Sequence, residues 1–503
     1  MRKKPNILFI TSDQQHYNTL GCTNPEIKTH NLDKLARQGI RFTRAYCTNP
    51  TCTPSRASLI TGKYPSQHGA WSLGTKLPET EPTLGKYLSD AGYKTTLIGK
   101  AHFQPLKDTP SYPSIESNPL MQNLDFWKKF HGPFYGFQRV ELARNHTDEF
   151  HVGQHYALWM EKKGFKEWRD YFRWPAGNVK HQQKWKWTIP EKFHYDAWIA
   201  ERTIRFLKQY HRKGQNFFLW ASFLDPHPPY LAPEPWDTMY DPEKLTIPQG
   251  SPKEHEKNPP HFQLTQKENP DFSPWRESGM GLHGFHSHLP LLKTIRKDTA
   301  VYYGMISLMD KYIGLIIDEL DALGLSEETI VIFTTDHGHL IGQHNLAAKG
   351  AFHYEDLLRV PFIVRWPGHF PENKVSDSLI SFVDFAPTIL SLCELDKPRT
   401  MTGMDQKEVF YGKQSDIRKW VVVENRHEPT TIHLKTYIDS RYKITVYFRK
   451  DYGELFDLEN DPFENNNLWN EPEYKELKQK LIRKFLFAEM EKEPIWMPRV
   501  WSA

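Results

Sequence analysis

The sequence predicts an α/β chain, a doubly wound and mostly parallel sheet followed by a smaller α+β unit, and three observations predict it. Helix patterns alternate with short, unbroken apolar runs, as expected of strands buried on both faces. Polar residues with chemical capability stand directly after four of those runs. Beyond about residue 410 the texture changes to β-rich segments separated by turns. Domain boundaries at 1–410 and 411–503 follow from that change.

The elements are predicted in order as follows. Ile7-Leu-Phe-Ile10 is an apolar run ending in Thr11-Ser-Asp-Gln-Gln15, which reads as a buried strand. Leu32–Gly39 is a short helix pattern closed by glycine, followed by the strand Ile40-Arg-Phe-Thr. Thr83–Gly92 and Tyr93–Ile98 repeat the theme. Residues 197–210 form a helix pattern with the strand Phe217–Phe223 after it, and 300–323 form another before Thr329–Thr334. Ligands of such sheets sit beyond the carboxyl ends of the strands. Asp13, Lys100, Asp225, His227, Asp336 and His337 all fall there. Segments 103–190 and 231–290, rich in Pro, His, Trp and Lys, read as long insertions over that edge. In the C-terminal part, Trp420–Glu424, Thr436–Ile438 and Lys443–Phe448 read as strands and Tyr474–Met490 as a helix. The tail Pro494–Trp501 is read as packing on the body or on a neighbouring subunit.

Composition excludes several classes. With 503 residues, 38% hydrophobic, the chain has ample material for a core and is neither disordered nor fibrous. A net charge of +4 is too near balance for a dedicated nucleic-acid binder. No run of 18 apolar residues occurs, so no membrane-spanning helix is expected. The N-terminus lacks a signal-peptide apolar region. As written the chain reads as cytoplasmic, and as periplasmic or secreted if a leader has been removed. Of four cysteines, Cys22, Cys47 and Cys393 are expected to be small buried hydrophobes, and Asn145-His-Thr147 is a glycosylation sequon by pattern only.

The fourth cysteine opens the segment Cys52-Thr-Pro-Ser-Arg-Ala-Ser-Leu-Ile-Thr-Gly62. By composition this is a turn entering a helix. Its C-x-P-S-R pattern, followed at fixed spacing by Thr-Gly, resembles the signature of the type I, formylglycine-dependent sulfatases. Companions stand in the order of that family: Asp13-Gln14, Lys100 and His102 in Gly-Lys-Ala-His, His227 in Asp-Pro-His-Pro-Pro-Tyr, Asp336-His337, and Lys349. Val383–Ile389 and Gly453–Pro462 are softer marks. Singly, a strand-end Asp is commonly a helix cap and a His or Lys a solvated side chain; it is the joint order that carries the reading. The resemblance covers residues 5 to about 470. It implies the alkaline-phosphatase-like fold, a large mixed and mostly parallel sheet flanked by helices.

The resemblance further implies that Cys52 is oxidised to formylglycine, and that Asp13, Gln14, Asp336, His337 and residue 52 hold a divalent cation. The chemistry is coherent. Attack on a sulfate ester needs charge neutralisation and a nucleophile stronger than water. Arg56 holds the metal end, and Lys100 and Lys349 offer point charges to sulfate oxygens. A hydrated aldehyde carries two hydroxyls; one, deprotonated by Asp336, attacks sulfur, while His227 with Lys349 protonates the departing alcohol. The second loses its proton to His102, which expels sulfate and restores the aldehyde. Asp225 and Tyr230 are read as shaping the loop around His227, and His68 as a weaker candidate to face the sulfate.

Two departures stand out: Gln14 where many sulfatases carry a second Asp, and His337 where they carry Asn. A similar pair occurs in phosphonate monoester and phosphodiester hydrolases of the same superfamily, and in some uronate-2-sulfatases and choline sulfatases. The first expectation for the metal is therefore Ca²⁺, with Mn²⁺ or Zn²⁺ as alternatives because of the imidazole. The expected activity is hydrolysis of O-sulfate esters of a carbohydrate. The alternatives are a phosphonate monoester or phosphodiester hydrolase and, from another class, a non-catalytic binder of sulfated glycans. Expected partners are a small or oligosaccharide sulfate ester, a sulfatase-maturation enzyme and, in a homo-oligomer, further copies of the chain.

Overall fold

Alternation along the central strands decides which residues meet which helices. The computed structural model describes residues 4–144, 150–173, 186–248, 250–251 and 253–501. Its main sheet is built from β1 (Asn6–Ser12), β2 (Ile40–Tyr46), β3 (Lys94–Gly99), β4 (Arg139–Leu142), β5 (Phe217–Ser222) and β6 (Thr329–Thr335). After a two-stranded hairpin, β7 (Leu340–Ile341) and β8 (Ala347–Ala348), come β9 (Arg359–Arg365), β10 (Lys374–Ser376) and β11 (Ile380–Ser381). The order is β10-β2-β9-β6-β1-β5-β3-β4, with β11 also on β2. Successive side chains of a strand point to opposite faces. Ile7, Phe9, Phe218, Trp220, Ile330 and Ile332 accordingly enter one core layer, with helices Cys52–Thr61, Leu84–Asp90 and Phe385–Leu392. Leu8, Ile10, Leu219, Ala221, Val331 and Phe333 enter the other, with helices His30–Arg37, Tyr195–Arg212 and Ile295–Ala322. Both faces of β1 are fully buried, which is why it reads as an unbroken apolar run.

Strands β1, β3, β5 and β6 run parallel through their shared neighbours, so their carboxyl ends lie on one edge. The sheet is mixed because β9 pairs antiparallel with both β2 and β6. No strand is expected there from the sequence, because Pro361 interrupts an otherwise apolar run and masks the signal.

The small sheet is antiparallel: β12 (Val421–Arg426), β13 (His433–Ile438), β14 (Tyr442–Tyr447) and β15 (Gly453–Asp457). One face (Val422, Tyr437, Ile444, Leu455) packs on Leu481 and Phe485 of helix Lys475–Glu491. The other face (Val421, Val423, Ile438, Phe456) joins the core of the large sheet. Its edge also reaches the loop before Cys52, since Glu424 N–H donates to Thr48 O at 2.8 Å.

Two expectations need correction, the start of the long helix and the burial of Cys22. The long helix begins at Ile295 rather than 300, and by length and composition it would suffice to cross a membrane; 89% of its most apolar window is nevertheless buried in the protein. The described residues of segment 103–190 supply edge strand β4 and helix Gln154–Lys162, and Trp127, Tyr156, Trp168 and Trp187 are buried. Those four aromatic residues are core and present no platform to sugar rings, whereas Tyr112 and Phe150 are exposed. Cys22 is exposed, whereas Cys47 and Cys393 are buried as expected. The tail is largely exposed, Trp501 at 84%, and it meets the body where Lys63 Nζ lies 5.4 Å from the centroid of the Trp496 ring. Asn145–Thr147 lies outside the described residues.

Candidate active site

Four strand ends converge on one point. Asp13 and Gln14 follow β1, Lys100 and His102 follow β3, Asp225 and His227 follow β5, and Asp336 and His337 follow β6. The chain turns sharply at these ends. Gly99 has φ +99°, and a Cβ there would sit 1.9 Å from Ser222 O, so only glycine fits ahead of Lys100. Gln14 and His102 are themselves left-handed (φ 62° and 60°), a conformation that costs about 1 kcal/mol or more in non-glycine residues and concentrates at functional sites.

Two further elements complete the site. Thr51 is extended, and Pro54 in the first turn suits a helix start, so helix Cys52–Thr61 begins with residue 52 at its N-terminus. All ten residues of that helix are buried, and it ends at left-handed Gly62. Orphan N–H groups and the helix dipole favour an anion at that end. Lys349 arrives from the other side, directly after β8.

The side chains meet around the Cys52 sulfur. Lys349 Nζ lies 3.1 Å from Sγ, His337 Nε2 3.3 Å, Asp13 Oδ1 3.7 Å and Lys100 Nζ 3.8 Å. Lys100 also pairs with Asp13 Oδ2. Lys349 Nζ lies 3.5 Å from His227 Nε2 and 3.4 Å from His337 Nε2. His227 Nδ1–H donates to Pro228 O at 2.6 Å, which turns its Nε2 toward Lys349. Asp336 accepts from Gln14 N–H at 2.9 Å and from Arg56 Nη1 at 3.3 Å. Arg56 is wholly buried and donates to Ala101 O (2.9 Å), Lys100 O (2.5 Å) and Ser222 Oγ. It therefore clamps the β3, β5 and β6 ends and holds Asp336.

The charges explain the protonation states. Burial alone would push the Asp13 carboxyl up, but Lys100, then Lys349 and Arg56, outweigh it and hold it well below the usual carboxylate range. Burial pushes the Cys52 thiol up despite Lys100 and Lys349, so an unmodified Cys52 is protonated at neutral pH and is a poor nucleophile. Burial, opposed by Asp336, lowers His337 to about 4 and leaves its imidazole neutral, the form that ligates metals. His102 is pushed well below its ordinary value by burial, then by Arg144 and Lys100.

A cation fits this donor set. One ligand atom each from Asp13, Cys52, Asp336 and His337 lie within 4.8 Å of one another. Gln14 Nε2 donates to His339 Nδ1 at 2.8 Å, while its Oε1 is buried with no hydrogen-bond partner, as a hard oxygen awaiting a cation would be. His337 Nδ1–H donates to Gly338 O at 2.8 Å, which leaves Nε2 as the ligating nitrogen.

Comparison with known proteins settles the family. The sulfatase profile matches residues 5–395. The chain belongs to the sulfatase family. A second profile, the C-terminal region of N-sulphoglucosamine sulphohydrolase, matches residues 342–492 of this sulfatase. The uncharacterized sulfatase YidJ of Escherichia coli K12 is 29% identical, over 99% of this chain and 91% of its own length. An arylsulfatase of Clostridium perfringens is 28% identical, over 97% and 95%. The crystal structure of the phosphonate monoester hydrolase of Agrobacterium radiobacter has the same fold, with a TM-score of 0.79 at 24% identity, covering 97% of this chain and 96% of that one. Sulfatases generally use a metal ion and a formylglycine.

The structure brings the residues singled out in the sulfatase sequence to one edge, His68 excepted, with different degrees of contact. Asp13, Lys100, His337 and Lys349 touch Cys52, whereas Arg56 acts on Asp336 and the strand ends. His102 is held by its backbone N–H on Glu116 Oε1 (2.9 Å), with its Nδ1 buried and unpartnered. His68 does not face the site: its Nε2 pairs with Ser58 Oγ and its Nδ1 accepts from Ala70 N–H, both at 3.1 Å. Asp225 is tied at two points, its backbone carbonyl accepting Asp13 N–H at 3.0 Å and its carboxylate accepting from Tyr195 Oη. Tyr230 does more: its Oη is 2.6 Å from His339 Nε2, behind the His339–Gln14 contact. His339 escaped the sequence analysis, although it stands two residues past His337 on the same loop.

Proposed function

We propose that this sulfatase hydrolyses O-sulfate esters of a carbohydrate, with formylglycine derived from Cys52 and a divalent cation held by Asp13, Gln14, Asp336, His337 and residue 52. The observation that carries the reading is the crowding of two lysines, an aspartate and a histidine within 3.8 Å of one buried cysteine at a helix N-terminus. Such a site suits a tetrahedral anion and is ill-suited to a free thiol. The aldehyde at residue 52 supplies, as its hydrate, a hydroxyl that attacks sulfur and a second whose deprotonation releases sulfate. The cation supplies Lewis acidity to a sulfate oxygen. Ca²⁺ is the first choice, and the neutral imidazole of His337 keeps Mn²⁺ and Zn²⁺ in play.

The chain's own groups divide the remaining work. Lys100, paired with Asp13, and Lys349 neutralise the sulfate oxygens. Asp336, anchored by Arg56 and Gln14 N–H, accepts the proton of the attacking hydroxyl. His227 Nε2, next to Lys349, delivers a proton to the departing oxygen. His102, kept neutral and with a free Nδ1, takes the second hydroxyl's proton. A maturation enzyme has to act before the helix N-terminus is sealed, since Cys52 is 1% exposed. The profile named for N-sulphoglucosamine sulphohydrolase over residues 342–492 supports a sugar substrate.

The Gln14 and His337 departures favour a second reading, a phosphonate monoester or phosphodiester hydrolase. Measuring kcat/KM for 4-nitrophenyl sulfate, 4-nitrophenyl phenylphosphonate and bis(4-nitrophenyl) phosphate on one preparation separates the two. The sulfate ester is expected to lead. Phosphonate or diester turnover ahead by orders of magnitude overturns the proposal, and no turnover of any ester by metal-replete, matured protein leaves the glycan binder.

A further inference from the structure

The hairpin that delivers Lys349 is pinned at its tip by buried charge. His344, between β7 and β8, takes a left-handed backbone (φ 57°), as does Asn345 after it (φ 53°). Side chains keep that conformation only when surrounding contacts hold it. The His344 ring, 7% exposed, contacts Glu254 through Nδ1, and its Nε2 lies 3.3 Å from Asp356 Oδ2. It stacks on Tyr354 with ring centroids 3.5 Å apart and planes at 4°. His255 Nε2 lies 2.7 Å from the His344 carbonyl, and His16 Nε2 lies 2.7 Å from Asp356 Oδ1. Burial opposes a charge on this imidazole, but its bonds to Asp356 and Glu254 prevail and raise it to about 9, so it is a cation at neutral pH.

The same grip reaches the catalytic loop. Asp356 O accepts from His339 N–H at 3.0 Å, and Leu357 O accepts from Gly338 N–H at 2.9 Å. One short segment thus holds both the tip of the hairpin and the residues just after Asp336 and His337. Four residues separate His344 from Lys349, and two of them pair back across the hairpin (Leu340 with Ala348, Ile341 with Ala347). A shift at the tip is therefore passed along a paired ribbon rather than absorbed by slack chain.

We propose that His344 is a positioning residue: by bridging Glu254 and Asp356 it fixes the hairpin so that Lys349 stays against residue 52 and His227. The inference rests on the proposed role of Lys349 with His227 at the departing oxygen. Misplacing Lys349 then costs every substrate part of the charge neutralisation at the sulfate, and costs most where the leaving group needs protonation.

The test compares kcat for phenyl sulfate and 4-nitrophenyl sulfate in the full-length, matured enzyme and in His344→Gln, Glu254→Gln and Lys349→Ala. For His344→Gln the expected loss is about 30-fold on phenyl sulfate and under about 3-fold on 4-nitrophenyl sulfate, with KM little changed. Lys349→Ala is expected to show the same selectivity, with larger losses. Glu254→Gln leaves the Asp356 contact in place and is expected to show it more weakly; it carries the test if His344→Gln does not fold. Equal losses on both substrates, or none, in the His344 and Glu254 variants overturn the inference while a selective Lys349→Ala upholds the role of Lys349. Equal losses in Lys349→Ala overturn both.

Discussion

Cys52→Ala is expected to fold like the parent and to lose turnover of sulfate esters by about 10⁴-fold or more, the scale seen when a covalent nucleophile is removed. Position 52 is the one place where Lys349, His337, Asp13 and Lys100 all converge. Each of those groups acts on whatever residue 52 carries, so their contributions vanish together with it. The substitution removes one sulfur atom from a site that is polar on every side, and the helix keeps its start at extended Thr51 and its end at Gly62. The thermal midpoint is accordingly expected to stay within a few degrees of the parent. Steady-state kinetics with 4-nitrophenyl sulfate, beside a melting curve, checks both halves. Turnover unchanged by the substitution removes residue 52 from the chemistry.

Arg56→Ala is expected to destabilise the fold by about 4 kcal/mol or more, enough to unfold many domains outright. The guanidinium is wholly buried and stacks 5.1 Å from the centroid of the Trp220 ring. Its removal leaves the carbonyls of Lys100 and Ala101 without a donor, at about 1–3 kcal/mol each. It also leaves the buried Asp336 carboxylate without its cation. Arg56→Lys keeps a charge but cannot serve both carbonyls and the carboxylate, because an ammonium lacks the planar fork. That variant is expected to fall between Ala and the parent. Denaturant midpoints measure the series; a loss under about 1 kcal/mol for Arg56→Ala contradicts the clamp described for the strand ends.

The contiguous parts of this account were legible in the sequence. Residues 52–62 form one motif on one helix, and Asp13, Lys100, His227 and Asp336 follow apolar strands that announce themselves. Ile7–Ile10 was legible because burial on both faces makes every residue apolar. The antiparallel β9 was not, since a proline sits inside its apolar run. The aromatic residues of 103–190 were visible, but only packing shows Trp127 and Trp168 to be buried rather than presented to a ligand. The supporting layer was the least legible. Tyr230, His339 and Gln14 form a chain from three separate segments, as do Glu254, His344 and Asp356, and nothing in local spacing links them. The same holds for Ser222, whose hydroxyl meets Arg56 only because β5 lies between β1 and β3.

The most direct measurement is a mass spectrum of the peptide that contains Cys52, taken from protein of known specific activity. The account predicts an aldehyde or its hydrate in place of the thiol methylene, in a fraction that rises in proportion to activity across preparations. Fully active protein whose residue 52 is an unaltered thiol contradicts it.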